Sequence, residues 1–310
     1  LKTAVSLGQS VLSTSPTEAV LAEAGSRVAA YVSLTKPRIV IMVLVTVGVG
    51  FLLGARGSAH PAILALTLLG TGLVAGGAST LNQWLERARD ARMRRTANRA
   101  LPAGRVTAVE ALLFGLALGI VGTLILLAGT NWLAAAVSAA TLLLYVMVYT
   151  PLKSRTTLNT AIGAIPGALP PVIGWAAATE TLGIEPFALF LIVFLWQFPH
   201  FLAIAWIYRE DYARGGMKML PGVDPQGVLT GRQATAYALA LVPVGLLPAT
   251  IGLAGPLYFV GALVLGLIYL VAAARFWVGV SDSTARRLLR TSFVYLPAVL
   301  LLLVLNPMPA

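Results

Sequence analysis

Apolar residues fill this chain in long runs, and polar residues collect in short patches between them. Runs of roughly 18 to 22 residues, the length that crosses a bilayer as a helix, fall at about 38–56, 61–83, 106–129, 131–150, 158–178, 185–207, 235–254, 256–276 and 288–306. Hydrocarbon offers no water to satisfy backbone groups, so each run is predicted to be a helix. Gly, Ala, Ser and Pro recur inside the runs, which suits close packing in lipid. The pattern predicts an all-α polytopic membrane protein, a single bundle of nine transmembrane helices. Residues 1–35 carry Ser, Thr and Ala with Glu18 and Glu23. They have neither the apolar core of a cleaved signal nor the Arg-rich, acid-free character of a transit peptide. They read as an N-terminal tail, poorly ordered or a surface helix, ahead of a membrane domain over 36–310.

Composition supports that setting. The chain is 58% hydrophobic and 11% charged, far from the roughly 25% charged of a soluble domain. A net charge of +11 in a soluble chain would point to nucleic acid. Here the basic residues sit in loops between apolar runs, so the partner expected is the lipid bilayer and not nucleic acid. With the N-terminus on the cytoplasmic side and the C-terminus outside, all but Arg56 of the 22 Lys and Arg fall on the inner side, as the positive-inside rule requires. The outer loops carry Arg56, His60, Glu180 and Glu185. The absence of cysteine excludes disulfides and thiolate metal sites.

Charge is concentrated in LNQWLERARDARMRRTANRALP, residues 81–102. Asn82, Glu86 and Asp90 are spaced by four, so on a continued second helix they drift about 40° per step and lie along one face, about 6 Å apart in height. Three oxygen-bearing side chains in a row suit Mg²⁺, which takes one or two carboxylates and completes its shell with waters and substrate phosphates. The bland alternative is a set of surface ion pairs with Arg87, Arg89, Arg94 and Arg95. A second inner loop, YREDYARGGMKMLP, repeats the chemistry with Glu210, Asp211, Arg214 and Lys218. Two such loops on one face are what a metal-bridged diphosphate needs, and they hint at a repeat of helical hairpins.

Between them, Tyr149 and Lys153 are spaced by four at an inner edge, and Lys153 and Arg155 are cations free to meet phosphate oxygens. Anchoring at the lipid headgroups explains the same residues as well. Three prolines in GAIPGALPPVIGW mark a broken helix, tolerated where the freed backbone lines a cavity or is buried in protein. His200 lies within a span beside Trp196 and Gln197, and an ionisable residue there is a functional candidate. It could be an axial ligand to a tetrapyrrole, a base, or a neutral structural imidazole.

These blocks resemble the UbiA-type intramembrane prenyltransferases and, among them, the heme O synthase branch. The likeness runs from YVSLTKPRIV at 31–40 through the loop of Asn82 and the Tyr149–Lys153 element to FLWQFPHFLAIAWIYREDYARGGMKMLP, ending at 221. WQFPHF, REDYARGG and KMLP point to the branch. The resemblance implies transfer of farnesyl from farnesyl diphosphate to a vinyl group of heme b, with water addition, giving heme O for terminal oxidase assembly. It implies Mg²⁺ on Asn82, Glu86, Asp90, Asp211 and Glu210, and a catalytic set of Asn82, Glu86, Asp90, Lys153 and Asp211. Diphosphate contacts would come from Arg95, Arg99, Tyr149, Lys153, Arg155 and Lys218, and heme contacts from His200, Trp196 and Gln197. A bacterial inner membrane is expected ahead of a mitochondrial one, with heme A synthase or oxidase assembly factors as further partners. Three positions depart from the general pattern: Glu86 at the middle ligand, Ala100 in place of proline, and Gly215 where a second carboxylate of the later motif would stand. An aromatic quinone precursor is the alternative acceptor. A secondary transporter also uses broken helices, but the charge here gathers at one membrane edge.

Overall fold

The computed structural model describes residues 16–308, with side chains from residue 26 onward. Its helices are α1 (Pro16–Thr35), α2 (Pro37–Ala55), α3 (Pro61–Asp90), α4 (Ala108–Gly129) and α5 (Trp132–Leu143). A π-helical segment (Leu144–Tyr149) carries α5 into the single turn α6 (Thr150–Leu152). There follow α7 (Asn159–Ala168), α8 (Pro170–Thr179), α9 (Ile184–Ile207), α10 (Arg209–Arg214), α11 (Leu220–Val223), α12 (Val228–Thr250), α13 (Pro256–Val278) and α14 (Asp282–Leu305). Among the described residues nine segments are long and apolar enough to span a membrane: α2, α3, α4, α5–α6, α7–α8, α9, α12, α13 and α14. The protein is an all-α polytopic membrane bundle.

Three boundaries differ from the apolar runs. The second span continues through Asp90, so Asn82, Glu86 and Asp90 do share one helix. The seventh begins at Val228 and not near 235, and the ninth at Asp282 and not near 288. Their first two turns, VLTGRQA and DSTARR, are interrupted by polar residues, and a count of apolar residues passes over them. Side-chain caps hold these turns instead. Asp224 accepts from the backbone N–H of Thr230 at 2.7 Å and from its hydroxyl at 2.9 Å. Ser281 and Thr284 form a reciprocal capping box, with N–H···Oγ distances of 3.1 and 3.2 Å.

The described part of the N-terminal segment is helical. The end of α1 packs Ala30 and Leu34 against Ala100, Leu101, Val106 and Ala111, with Tyr31 edge-on to Phe114 at 5.1 Å. Buried Gln83 on α3 donates to the Leu34 carbonyl at 2.7 Å, satisfying a backbone group that the end of a helix leaves free. Residues 1–15 of the expected tail lie outside the described residues.

Glycines set the helix spacing in the first half of the bundle. A Cβ on Gly77 of α3 would stand 2.7 Å from the Gly115 carbonyl of α4, and one on Gly70 would stand 2.9 Å from the Gly122 carbonyl. Without them the backbones could not approach this closely. The second half, α9 with α12, α13 and α14, is a core of larger side chains, with Tyr258, Tyr269, Tyr295 and Phe276 all buried. Contacts between α14 and α2 close the ring of helices. The fifth span breaks at Leu169, between Pro166 and the Pro170–Pro171 pair. Proline withholds an N–H and clashes with the preceding turn, and the broken stretch is buried among neighbouring helices.

Candidate functional site at the charged edge of the bundle

The last three turns of α3 bring Asn82, Glu86 and Asp90 to one end of the bundle, each almost fully buried. Buried carboxylates demand partners, and the structure supplies cations from distant chain. Lys153, just past α6, places Nζ 3.0 Å from Glu86 Oε1 and donates to Oε2 at 3.2 Å. Arg99 donates to Asp90 Oδ2 at 2.7 Å. The other Asp90 oxygen, Oδ1, is enclosed without a hydrogen-bond partner among the described residues, and Glu86 Oε1 likewise accepts no hydrogen bond. The spacing by four does put this row on one helix, and its buried acids face the protein interior, paired with Lys153 and Arg99 and not in exposed pairs.

The π-helical segment sets the orientation of Asn82. In its widened turn the Tyr145 carbonyl accepts both the backbone N–H of Thr150 and its hydroxyl, which donates at 2.8 Å. With its proton used there, Thr150 Oγ accepts from Asn82 Nδ2 at 3.1 Å. Asn82 Oδ1 is therefore turned away from Thr150. This oxygen, the unpartnered Asp90 Oδ1 and the Glu86 carboxylate, which among the described residues meets only the Lys153 ammonium, form a donor set that fits a hard cation such as Mg²⁺. A π-turn inside an α-helix commonly marks a functional position, and this one also aims the tyrosines. Tyr145 and Tyr149 pack with ring centroids 5.2 Å apart, and Lys153 Nζ lies 4.5 Å from the centre of the Tyr149 ring.

The second loop is brought close by its backbone. The Lys218 N–H donates to the Lys153 carbonyl at 2.7 Å, and Asn159 Nδ2 donates to the Lys218 carbonyl at 2.8 Å. The side chain of Lys218 is exposed, as is that of Arg155. Asp211 is buried and binds Arg214 and the Arg94 backbone N–H. Burial opposes its charge, and those hydrogen bonds outweigh it, holding the carboxyl below the usual aspartate range. Glu210 is exposed and lines, with Asp211, Arg94, Arg209, Arg214 and Asp282, a separate cavity of about 210 Å³. Among the described residues no three carboxylates or histidines stand close enough to share one ion. Arg95 lies over the rings of Tyr208 and Tyr212, at 4.9 and 5.7 Å, tying the first loop to the second. Gly215 packs on Met93, whose Sδ would lie 2.9 Å from a Cβ there. A carboxylate at 215 has no room.

The span candidates divide. Trp196 and His200, one turn apart on α9, stack at 4.8 Å and face α14, where His200 Nδ1 meets Ser292 Oγ at 2.7 Å. Gln197 points to α7 and donates to the Ala164 carbonyl at 3.1 Å, so it does not share a surface with His200. Sequence reasoning missed Thr150, Tyr145, Ser292 and Lys36. Lys36 joins α1 to α2 in a left-handed conformation, with φ 50°, where a non-glycine residue is strained. Burial first, then repulsion from Arg99 and Lys153, pushes its ammonium pKa down to about 7, so it belongs to the same charge cluster. In the sequence Lys36 stands within YVSLTKPRIV, the first block of the resemblance, with no role attached to it.

A membrane bundle that gathers buried carboxylates and cations at one edge, above an apolar interior with a broken helix, is built for an amphiphile with an anionic head and an apolar tail. The chain belongs to the UbiA prenyltransferase family, whose model matches residues 43–296. It is 48% identical over 285 residues to the protoheme IX farnesyltransferase of Solibacter usitatus, covering 89% of this chain and 98% of that one. It is 43% identical to the protoheme IX farnesyltransferase of Koribacter versatilis, covering 89% and 92%. Solved structures share the fold: a digeranylgeranylglyceryl phosphate synthase has a TM-score of 0.76 at 18% identity, covering 90% of this chain and 98% of that one. A UbiA homolog from Archaeoglobus fulgidus, bound to GPP and Mg²⁺, has a TM-score of 0.65 at 17% identity, covering 88% and 99%.

Proposed function

We propose that this protein transfers farnesyl from farnesyl diphosphate to a vinyl group of heme b, with addition of water, to give heme O. The observation that carries the reaction type is the buried row of Asn82, Glu86 and Asp90, where Lys153 pairs with Glu86 and Arg99 with one Asp90 oxygen, leaving Asp90 Oδ1 without a partner among the described residues. The acceptor is drawn from the protoheme IX farnesyltransferases, which match nearly the full length of the chain. The charged edge faces the cytoplasm of a bacterium, because that orientation keeps all but one of the basic residues inside.

Mg²⁺, when bound, supplies positive charge to the diphosphate oxygens. Asn82, Glu86 and Asp90 would hold it, with Asp211 of the second loop as the further carboxylate. Lys153, Arg99 and Lys36 meet the phosphate oxygens, stabilising the charge that grows there as the C1–O bond breaks. Tyr149 and Tyr145 wall the site where C1 becomes cationic. The vinyl π-electrons form the new bond to C1, water adds to the cation left on the porphyrin side chain, and one proton and diphosphate are released. Trp196 and His200 contact the heme.

Incubation of the purified protein with heme b, farnesyl diphosphate and Mg²⁺ is expected to give a product heavier by one farnesyl and one hydroxyl. Mass analysis checks it. Farnesylated hydroxybenzoate as the only product would favour a quinone-precursor acceptor and sink the heme assignment. Thr150→Val keeps the shape of the side chain and removes the hydroxyl that orients Asn82. The Mg²⁺ concentration for half-maximal rate is expected to rise about tenfold, the loss of roughly one hydrogen bond's worth of orientation. Thr150→Ser restores it, and a magnesium titration reads both.

A further inference from the structure

His200 is held from three helices at once. Its ring stacks on Trp196, whose indole N–H donates to the Ser292 backbone carbonyl on α14 at 2.9 Å. Tyr269 on α13 donates its hydroxyl to the Trp196 carbonyl at 3.1 Å. The Nδ1 atom of His200 is 2.7 Å from Ser292 Oγ, and the Ser292 hydroxyl is 2.6 Å from the Leu289 carbonyl. Each bond fixes the same small unit.

The pattern determines where the ring proton sits. A serine hydroxyl has one hydrogen. A backbone carbonyl only accepts, so a 2.6 Å contact with Leu289 places that hydrogen on the Leu289 side. Ser292 Oγ then has only lone pairs for His200, and Nδ1 must be the donor. An unpaired charge within a span is costly, and the ring's one hydrogen-bond partner among the described residues is Ser292. The imidazole is therefore neutral, and Nε2 carries the lone pair. Nε2 has no hydrogen-bond partner among the described residues and is not one of the enclosed orphan atoms. It is the open corner of a ring that is otherwise 7% exposed. Phe201 and Phe293, both exposed at this surface, stand edge-on to the ring at 5.2 Å.

We propose that Ser292 is a positioning residue that locks His200 as the Nδ1–H tautomer and presents Nε2 as an axial ligand to the iron of the heme acceptor. This rests on the reading of His200 as a heme contact and adds which atom binds and what aims it. Metal-binding imidazoles generally donate their second N–H to a partner that fixes the ring and raises ligand strength. The chain here ends on a carbonyl, which cannot take up a proton. It orients the ring and does not relay protons, which favours a ligand over a base. Trp196, Phe201 and Phe293 supply the aromatic walls that a flat macrocycle needs.

The test uses full-length protein loaded with ferrous heme b in the absence of farnesyl diphosphate, read by resonance Raman spectroscopy and by heme titration. A donated Nδ1 proton gives the imidazole anionic character and stiffens the iron–nitrogen bond. Ser292→Ala is therefore expected to lower the iron–histidine stretching frequency and to weaken heme binding about tenfold to a hundredfold. Ser292→Cys, close in volume and a poorer acceptor, shifts the band the same way by less, and decides the matter should the alanine variant not fold. An unmoved band and unchanged heme affinity in the folded Ser292 variants overturn the proposal while His200 stays the ligand. A His200→Ala protein that keeps the iron–histidine band overturns the reading of His200 itself.

Discussion

Asp90→Asn is expected to cut kcat/KM by about a hundredfold to a thousandfold, the cost of removing one group that stabilises charge in a transition state. Asp90 closes α3 with 1% of its surface exposed. Oδ2 is committed to Arg99 and Oδ1 has no partner among the described residues. An amide of the same shape keeps the packing and leaves the Asp90 backbone carbonyl free to accept from Thr96, as it does at 2.8 Å. What it removes is negative charge at an enclosed oxygen that has no hydrogen-bond partner among the described residues. Turnover should fall, the magnesium requirement should rise, and the thermal transition in detergent should stay near that of the parent. Activity within about threefold of the parent, under 1 kcal/mol, would mean that Asp90 serves only to hold Arg99.

Gly174→Ala should act on the fold instead. A Cβ at Gly174 of α8 would fall on the Val47 carbonyl oxygen and stand 2.8 Å from the Phe51 nitrogen of α2, and Gly50 meets the Pro171 carbonyl in the same way. The colliding atoms are backbone, so no rotamer change relieves the overlap. The helices must separate, at a cost of about 1 to 3 kcal/mol or more, seen as a lower melting temperature in detergent. Turnover should fall too, since α2 carries Lys36 at its start and α8 continues the broken span. Gly48→Ala is the control: it lies on α2, the helix that Gly174 packs against, with nothing within 4 Å of its Cβ, and its melting temperature should not fall. Equal stability in the two variants would rule out this close contact as a determinant of the bundle.

The spans were readable because each is a continuous apolar run whose periodicity needs no partner to define it. The starts of α12 and α14 were not, since their first turns mix in polar residues and are held by Asp224 and Ser281 and not by hydropathy. In the site, Asn82, Glu86 and Asp90 could be placed together because spacing by four is a property of one helix. The pairings Lys153–Glu86 and Arg99–Asp90 are tertiary, and local pattern carries no distance between helices. The expected role of Arg95 illustrates the limit: as a cation in a basic loop it looks free, but the structure stacks it on Tyr208 and Tyr212. Gln197, three residues before His200 and so about 60° from it, looked like its neighbour, yet its amide bonds the Ala164 carbonyl of α7 while His200 faces α14. Ser292 gave no signal, being a small hydroxyl in an apolar run that matters only through what faces it.

The ion pairs of Glu86 with Lys153 and of Asp90 with Arg99 have a consequence for how substrate enters. Within the proposed site the carboxylates would pass to the metal and the cations to the diphosphate, a double exchange of counter-ions. Either reactant alone would strand a partner: a bare cation would leave Lys153 without its carboxylate, and a bare diphosphate would meet the acids. Such a site would admit the magnesium–diphosphate complex as a unit and make the two ligands cooperative without any second site.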